Sequence, residues 1–217
     1  MPTITPKHDP LVDERVRSVI ERVINETRRP GDGGPRGNHG ASENPQDYAQ
    51  FGFPIAREQG ELMYLLCRGL RARLVVEFAT SFGLSSLYLA AALRDNGGGR
   101  LIGSELVPEK VAQARRNLAD AGLAEYADIR QGDARETLSR IKGPIDFVLI
   151  DGWPTTTGPS LARQVAEILV PHVRTGGYVM NDNAEGDYLE FIRNPSLGFV
   201  SVTLPIKSAT ELSLKLD

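Results

Sequence analysis

Acidic side chains follow five apolar segments of the chain, each at the point where a predicted strand ends. They are Glu77, Glu105, Asp133, Asp151 and Asp182. In open α/β sheets, ligands bind outside the carboxyl ends of the strands, so these carboxylates are expected to lie together. A cleft lined by carboxylates repels phosphates, but it suits a positively charged ligand with ribose hydroxyls and can also hold a divalent metal.

The segment 74–85, Leu-Val-Val-Glu-Phe-Ala-Thr-Ser-Phe-Gly-Leu-Ser, is the most informative single stretch. A buried strand pattern runs into a turn of small residues and then into a helix. The small residues let a ligand approach the backbone, and the N–H groups that open the helix attract an anion. Glu105 follows the turn by about 20 residues, at the end of a second predicted strand, where an acid can bind a ribose diol.

Composition narrows the class of protein. The chain has 217 residues, 41% of them hydrophobic and 24% charged, which is typical of one soluble globular domain. A net charge of -3 argues against binding of nucleic acid backbones. The single cysteine, Cys67, excludes an intramolecular disulfide and is interpreted as a buried structural thiol. Because the sequence lacks an apolar signal core and any long apolar window, we expect a cytoplasmic protein that does not bind membranes.

Strand and helix patterns alternate from residue 71 onward, which predicts an α/β fold with a doubly wound, mostly parallel sheet of seven strands. Parallel strands are expected near 74–78, 100–105, 127–131, 145–151 and 176–182. Helices are expected between them near 84–95, 108–121, 134–141 and 159–171. The segments 199–204 and 211–216 are joined by a connection too short for a crossover helix, so they should form an antiparallel hairpin.

Residues 1–53 are expected to form a helix and a lid-like loop ahead of the main domain, which runs from 54 to 217. An apolar stripe at helical spacing over residues 11–29 predicts an amphipathic helix, which Pro30 and Gly31 end. The stripe could pack on the core or on a second copy of the chain, so a homodimer through this helix stays open. The Gly- and Pro-rich residues 30–50 predict a mobile loop.

From residue 54 to 217 the chain resembles the class I S-adenosylmethionine (SAM)-dependent methyltransferases. Within that class it is similar to the cation-dependent O-methyltransferases typified by catechol and caffeoyl-CoA O-methyltransferases. The motifs that carry the resemblance lie, in order, at 77–85, 105, 132–134, 150–153, 182–183 and 204–206. The resemblance implies an enzyme that moves the SAM methyl group to a hydroxyl of a small, catechol-like acceptor with the assistance of a divalent metal.

The resemblance also implies a cofactor site. Glu77 and Ser85 would lie near the methionine part of SAM, and Glu105 would bind the ribose. Asp133 and Ala134 would face the adenine. The other cofactor-binding residues implied by the motifs are Ala79, Gly83, Gly132, Asp151 and Trp153.

A metal site is implied by the same resemblance. The family's metal ligands match Asp151, Asp182 and Asn183. This all-oxygen set suits Mg²⁺ first, and also Mn²⁺ or Ca²⁺. Asp151 is in addition the predicted catalytic residue, serving both the metal and the cationic methyl donor.

Two positions depart from the family pattern. Ala79 replaces the first glycine of the turn, which adds a methyl group where the backbone comes near the cofactor. Pro154 stands where catechol-type enzymes have a lysine as general base, and proline cannot accept a proton. His39 and Lys207 are candidates for the missing base, and an acceptor acidified by the metal would need none.

Three other functions stay open at this stage. The chain could bind SAM but act on another acceptor, or, because Pro154 replaces the lysine, catalyse only weakly or bind SAM without catalysis. It could methylate a base or a protein amide, although such enzymes often carry Asn/Asp-Pro-Pro-aromatic where this chain has Asp-Gly-Trp-Pro at 151–154. A nucleotide-dependent dehydrogenase would need a glycine-rich turn against a pyrophosphate and would tolerate fewer acids around it.

Overall fold

The computed structural model describes residues 10–27, 44–152, 158–184, 186–207 and 209–216. Residues 30–43 of the predicted loop, His39, Trp153 and Pro154 lie outside these ranges, whereas Pro45–Tyr48 at the end of that loop form a 3-10 helix. The helices are α1 (Glu14–Thr27), α2 (Arg57–Gly69), α3 (Leu84–Asp95), α4 (Pro108–Asp120), α5 (Ala134–Thr137), α6 (Leu161–Leu169) and α7 (Gly186–Ile192). The strands are β1 (Leu74–Phe78), β2 (Arg100–Glu105), β3 (Ala127–Gln131), β4 (Ile145–Ile150), β5 (Val173–Asn181), β6 (Phe199–Leu204) and β7 (Thr210–Lys215).

The seven strands form one sheet in the order β3-β2-β1-β4-β5-β7-β6. Strands β1 to β5 pair in parallel, whereas β7 pairs antiparallel with both β5 and β6. The predicted doubly wound sheet with an antiparallel C-terminal hairpin is therefore confirmed. Because β1 and β4 are adjacent and lie between the two directions of winding, the switch point of the sheet is at their carboxyl ends, where ligands of such folds bind.

Apolar layers cover both faces of the sheet. Val75, Phe147 and Leu149 contribute to the layer beneath α1 to α4. Val76 and Val148 contribute to the opposite layer, against α5 to α7. These residues alternate along the strands because successive side chains point to opposite faces. Burial on both faces explains the unbroken apolar runs in the sequence of β1 and β4.

The apolar stripe of α1 packs on the chain's own core. Val16, Ile20 and Val23 are almost fully buried. Arg22 forms an ion pair with Asp120, so α1 is also fixed to the end of α4. A homodimer through this helix would have to use its other face.

Several elements differ from the prediction, and three of these differences are informative. Strand β5 begins at Val173 rather than at 176. It pairs with β4 on both sides of a shift in register, and Gly176 and Gly177 lie at that shift. Helix α5 has only four residues, far fewer than predicted over 134–141. Helix α7 was not predicted, since it is short and begins with glycine. In the described part of the chain, no helix is long and apolar enough to span a membrane.

Candidate active site

The turn after β1 is held against the neighbouring strand β2. The backbone N–H groups of Ala79 and Thr80 donate to the Ser104 carbonyl at 3.0 and 3.2 Å. Ala79 and Ser81 adopt left-handed backbone angles, with φ of 67° and 51°. Such angles are unfavourable for residues with a Cβ, so the turn is kept in this shape by its hydrogen bonds.

Glu105 closes this turn from the end of β2. Its carboxylate is 7% exposed and accepts hydrogen bonds from Ser81 N–H at 2.8 Å and Val107 N–H at 2.9 Å. Each carboxylate oxygen thus takes one backbone donor and keeps capacity for a ligand hydroxyl. The predicted ribose-binding acid is therefore fixed in position before any ligand arrives.

Glu77 lies beneath the same turn and is fully buried. It accepts hydrogen bonds from the Ser85 hydroxyl at 3.2 Å and from the Ser86 hydroxyl at 2.9 and 3.0 Å. Burial raises the pKa of Glu77 to about 7, against the lowering effect of the neighbouring hydroxyls. The negative charge of Glu105 adds to the increase. A nearby cation can therefore convert the Glu77 carboxyl group from its neutral to its charged form near neutral pH.

A narrow cleft opens beside this turn. Its walls combine the turn and the first residues of α3 with α1, the segment 53–55 and the end of β4. The Phe53 N–H donates to the Ser81 hydroxyl at 3.0 Å, which fixes the segment 53–55 over the turn. Ala79, Ser85 and Asp151 are among the residues that line the cleft.

Lys110 was not singled out by the sequence. It is 3% exposed, and its ammonium lies 4.7 Å from the centre of the Phe53 ring. Burial lowers the pKa of Lys110, while the negative charge of Glu105 opposes that effect. The signal in the sequence was weak, because a lysine in the first turns of an amphipathic helix is most often solvated.

The remaining residues of the predicted cofactor site lie at the ends of β1 and β3. Gly83 opens α3, where a Cβ would come within 3.1 Å of the Ala114 Cβ, so close helix packing already requires glycine there. Gly132 donates its N–H to the Glu105 carbonyl. Asp133 caps α5 and binds Arg135, whose guanidinium holds the pKa of that carboxyl below its ordinary value. Ala134 is buried beside it.

The predicted metal ligands meet where β4 and β5 end. Asp182 is buried, and its carboxylate binds both the Gln59 amide nitrogen and the Lys207 ammonium. Asn183 donates its amide N–H to Asp151 Oδ1 at 3.2 Å. Burial alone would lower the pKa of Lys207, but the charges of Asp151 and Asp182 raise it above its ordinary value.

This arrangement does not fit a divalent ion. Nitrogen donors, one of them positively charged, face the carboxylates that should bind the metal, and Asn183 directs its N–H rather than its oxygen toward Asp151. The sequence correctly predicted that Asp151 and Asp182 lie near one another, but it did not predict their partners.

Comparison with known proteins agrees with this fold. Residues 76–184 match the family model described as a methyltransferase domain. The chain belongs to this family. A methyltransferase from Geobacter sulfurreducens has a similar structure, with a TM-score of 0.69 and 20% identity over 99% of this chain and 93% of that one.

Two further methyltransferases are informative. The chain is 31% identical over 140 residues to the catechol O-methyltransferase of Mycobacterium tuberculosis, a match that covers 61% of the chain and 63% of that relative. The chain thus spans less than two thirds of the length of that relative. The O-methyltransferase TomG from Streptomyces achromogenes, solved in complex with SAM, has a TM-score of 0.61 and 19% identity over 94% of this chain and all of that one.

Proposed function

We propose that this protein transfers the methyl group of SAM to a hydroxyl oxygen of a small, catechol-like acceptor. The observation that carries the proposal is the buried Glu105 carboxylate, which accepts hydrogen bonds from the N–H groups of Val107 and of Ser81, a residue of the cleft wall. In this position it can accept hydrogen bonds from the ribose diol of SAM. The match to a catechol O-methyltransferase supports both the oxygen acceptor and its class.

The charges of the cleft favour SAM over a dinucleotide. A pyrophosphate would be repelled by Glu105 and Asp151, whereas SAM carries a sulfonium and an α-ammonium group. Glu77 and Ser85 are assigned to the methionine part of SAM, and the end of β3 to the adenine. An α-ammonium group near Glu77 would stabilise the charged form of that carboxyl.

The proposed reaction is an in-line displacement. The acceptor oxygen attacks the methyl carbon, the new O–C bond forms as the C–S bond breaks, and the electron pair of the broken bond remains on sulfur. S-adenosylhomocysteine leaves, and the hydroxyl proton passes to water. Asp151, which lines the cleft, is proposed to stabilise the sulfonium and orient the acceptor hydroxyl.

The resemblance would add a divalent ion, Mg²⁺ in the first place, held by Asp151, Asp182 and Asn183. Because the contacts of Asp182 do not fit such an ion, no step of the proposed reaction is assigned to one. The small-molecule acceptor, the domain boundary at residue 54 and the cytoplasmic location stay predictions.

Two measurements test the proposal. Isothermal titration with S-adenosylhomocysteine should show binding at one site per chain. Incubation with SAM and a panel of catechols and single-hydroxyl phenols should then produce S-adenosylhomocysteine and a methyl ether with at least one catechol. Absence of binding would overturn the cofactor assignment, and binding without transfer to any of the phenols would favour a protein that acts on another acceptor or only binds SAM.

A further inference from the structure

We propose that the Lys207 ammonium is the resident cation of the acceptor end of the cleft, in place of the divalent ion, and that methyl transfer by this chain needs no metal. The acceptor end is defined here as Asp151, Asp182, Asn183 and Lys207. The second half of this inference rests on the proposed function. The first half concerns cation binding and can be tested without catalysis.

The orientation of Gln59 is the first support. Its Oε1 accepts the Ala56 N–H at 2.8 Å, so its amide nitrogen must point the other way, toward Asp182. The same nitrogen donates to the Thr210 hydroxyl at 2.8 Å. A metal ligand at this place would have to offer oxygen, and a backbone hydrogen bond prevents Gln59 from doing so.

The ion pair of Asp182 is the second support. The Asp182 side chain is fully buried, and its other oxygen binds Lys207. A divalent ion between Asp151 and Asp182 would lie next to this ammonium, and the two cations would repel each other. Lys207 already supplies the positive charge that the two carboxylates require.

The backbone at Lys207 is the third support. Lys207 has a left-handed φ of 57° in the connection between β6 and β7. This conformation favours glycine and disfavours residues with a Cβ. The Thr210 hydroxyl donates to the Ile206 carbonyl at 3.2 Å, which ties this connection to the network of Gln59 and Asp182. The unfavourable angle is thus maintained by contacts that place the ammonium against Asp182.

Lys207 can also act on the acceptor. Its side chain is 37% exposed, so the ammonium is not enclosed by Asp182 alone. An ammonium has three N–H donors, and those not used by Asp182 can bind an acceptor oxygen as its negative charge develops. Lys207 would then be a catalytic residue that acts by charge and position while it remains protonated.

Binding of Mn²⁺ alone, followed by electron paramagnetic resonance, tests the first half. The wild-type protein should bind no Mn²⁺ at this place, whereas Lys207→Ala should gain a site that is lost again in the double variant with Asp182→Asn. The exposed Lys142→Ala is the matched control and should behave as wild type. Micromolar Mn²⁺ binding by the wild type that disappears in Asp182→Asn would overturn the inference.

Methyl transfer in EDTA tests the second half. The wild-type rate should change less than about twofold when EDTA replaces Mg²⁺, whereas a rate that EDTA abolishes and Mg²⁺ restores would contradict the inference.

Lys207→Met should lower kcat/KM for the acceptor by about 10²-fold, and Lys207→Arg should recover part of it because the charge is kept. Thermal unfolding checks that each variant is folded. If no acceptor is methylated, the proposed function fails while the Mn²⁺ result still decides the first half.

Discussion

The carboxylates at the two ends of the cleft have different kinds of hydrogen-bonding partner. At the cofactor end, Glu77 and Glu105 accept hydrogen bonds from hydroxyl and backbone N–H groups, which carry no net charge, and the buried Lys110 acts on Glu105 through its charge without a hydrogen bond. At the acceptor end, Asp182 is held by the ammonium of Lys207. Neutral donors leave the charge of a carboxylate available to a cationic ligand, whereas an ammonium cancels it. Acidic residues at equivalent strand ends can therefore have different roles, and the role of each depends on the groups that it contacts.

The largest effect is expected at Glu105. Each of its two backbone hydrogen bonds to a charged group contributes about 1.5 to 3 kcal/mol, so Glu105→Ala should lower the free energy of unfolding by roughly 3 kcal/mol or more. Affinity for S-adenosylhomocysteine should fall by roughly 10 to 150-fold as the ribose partner is lost. Urea unfolding and calorimetric titration measure the two effects, and the exposed Glu109→Ala is the control. Unchanged affinity in folded Glu105→Ala would remove this residue from the cofactor site.

Glu77 should show the next largest effect, and it depends on pH. Because the pKa of Glu77 in the folded protein is about 7, above its ordinary value of 4.5, the unfolded chain loses this proton first. The free energy of unfolding should therefore decrease as pH rises from about 4.5 to about 7, by on the order of 3 kcal/mol. Glu77→Gln should be more stable than wild type at pH 8 and similar to it at pH 5.

Urea unfolding at both pH values measures this difference, with the exposed Glu190→Gln as control. Equal stabilities of wild type and Glu77→Gln at pH 8 would show that Glu77 is not destabilised by burial. SAM should also bind more weakly as pH falls below 7, because a protonated Glu77 attracts its α-ammonium group less.

The ion pair at the acceptor end should contribute less to stability. A double-mutant cycle with Asp182→Asn and Lys207→Met should give a coupling free energy of about 1 kcal/mol, since solvent screens the partly exposed Lys207. The helical pair Arg163 and Glu167 is the comparison and should give about 0.5 kcal/mol or less. A coupling no larger than that of the helical pair would mean that Lys207 is not firmly held, and would weaken the contrast between the two ends.

The smallest effect is expected at Ala79. Replacing it with glycine removes an unfavourable left-handed angle, but the unfolded chain gains conformational freedom, so the net stabilisation should be below about 1 kcal/mol. The exposed Ala112→Gly in α4 is the control and should destabilise by about 1 kcal/mol. Thermal unfolding measures both. If Ala79→Gly destabilised the protein as much as the control, the turn would not be strained at this residue.

The sequence predicted the strands and the turn of the cofactor end well because their contacts are local or follow strand order. The turn, Glu105 and the strand ends were placed by apolar runs and by the rule that ligands bind at carboxyl ends. Helix capping by Asp133 was also foreseeable for an acid at a strand end. An acid in an apolar strand, such as Glu77, could have been expected to need hydroxyl partners, which Ser85 and Ser86 supply.

The acceptor end was predicted less well because its partners are distant in the sequence. Gln59 reaches Asp182 across 123 residues, and no local pattern marks it as a partner. The sequence marked Lys207 as a candidate base but not as the counterion of Asp182, because the position of Lys207 relative to Asp182 depends on how the hairpin docks beside β5. The packing partner of α1 could not be predicted either, because its apolar stripe fitted the core of the same chain and a second copy of the chain equally well.

The span of the Gln59 network has a consequence for the order of folding. The hydrogen bonds of the Glu77 and Glu105 carboxylates involve only residues 77–107, whereas the contact between Gln59 and Thr210 closes a separation of 151 residues. Contacts of such separation form late, because the entropy of loop closure opposes them until the intervening sheet exists. A chain still emerging from the ribosome can form the contacts of Glu77 and Glu105 early. The acceptor end is assembled only after the final hairpin adds to the sheet.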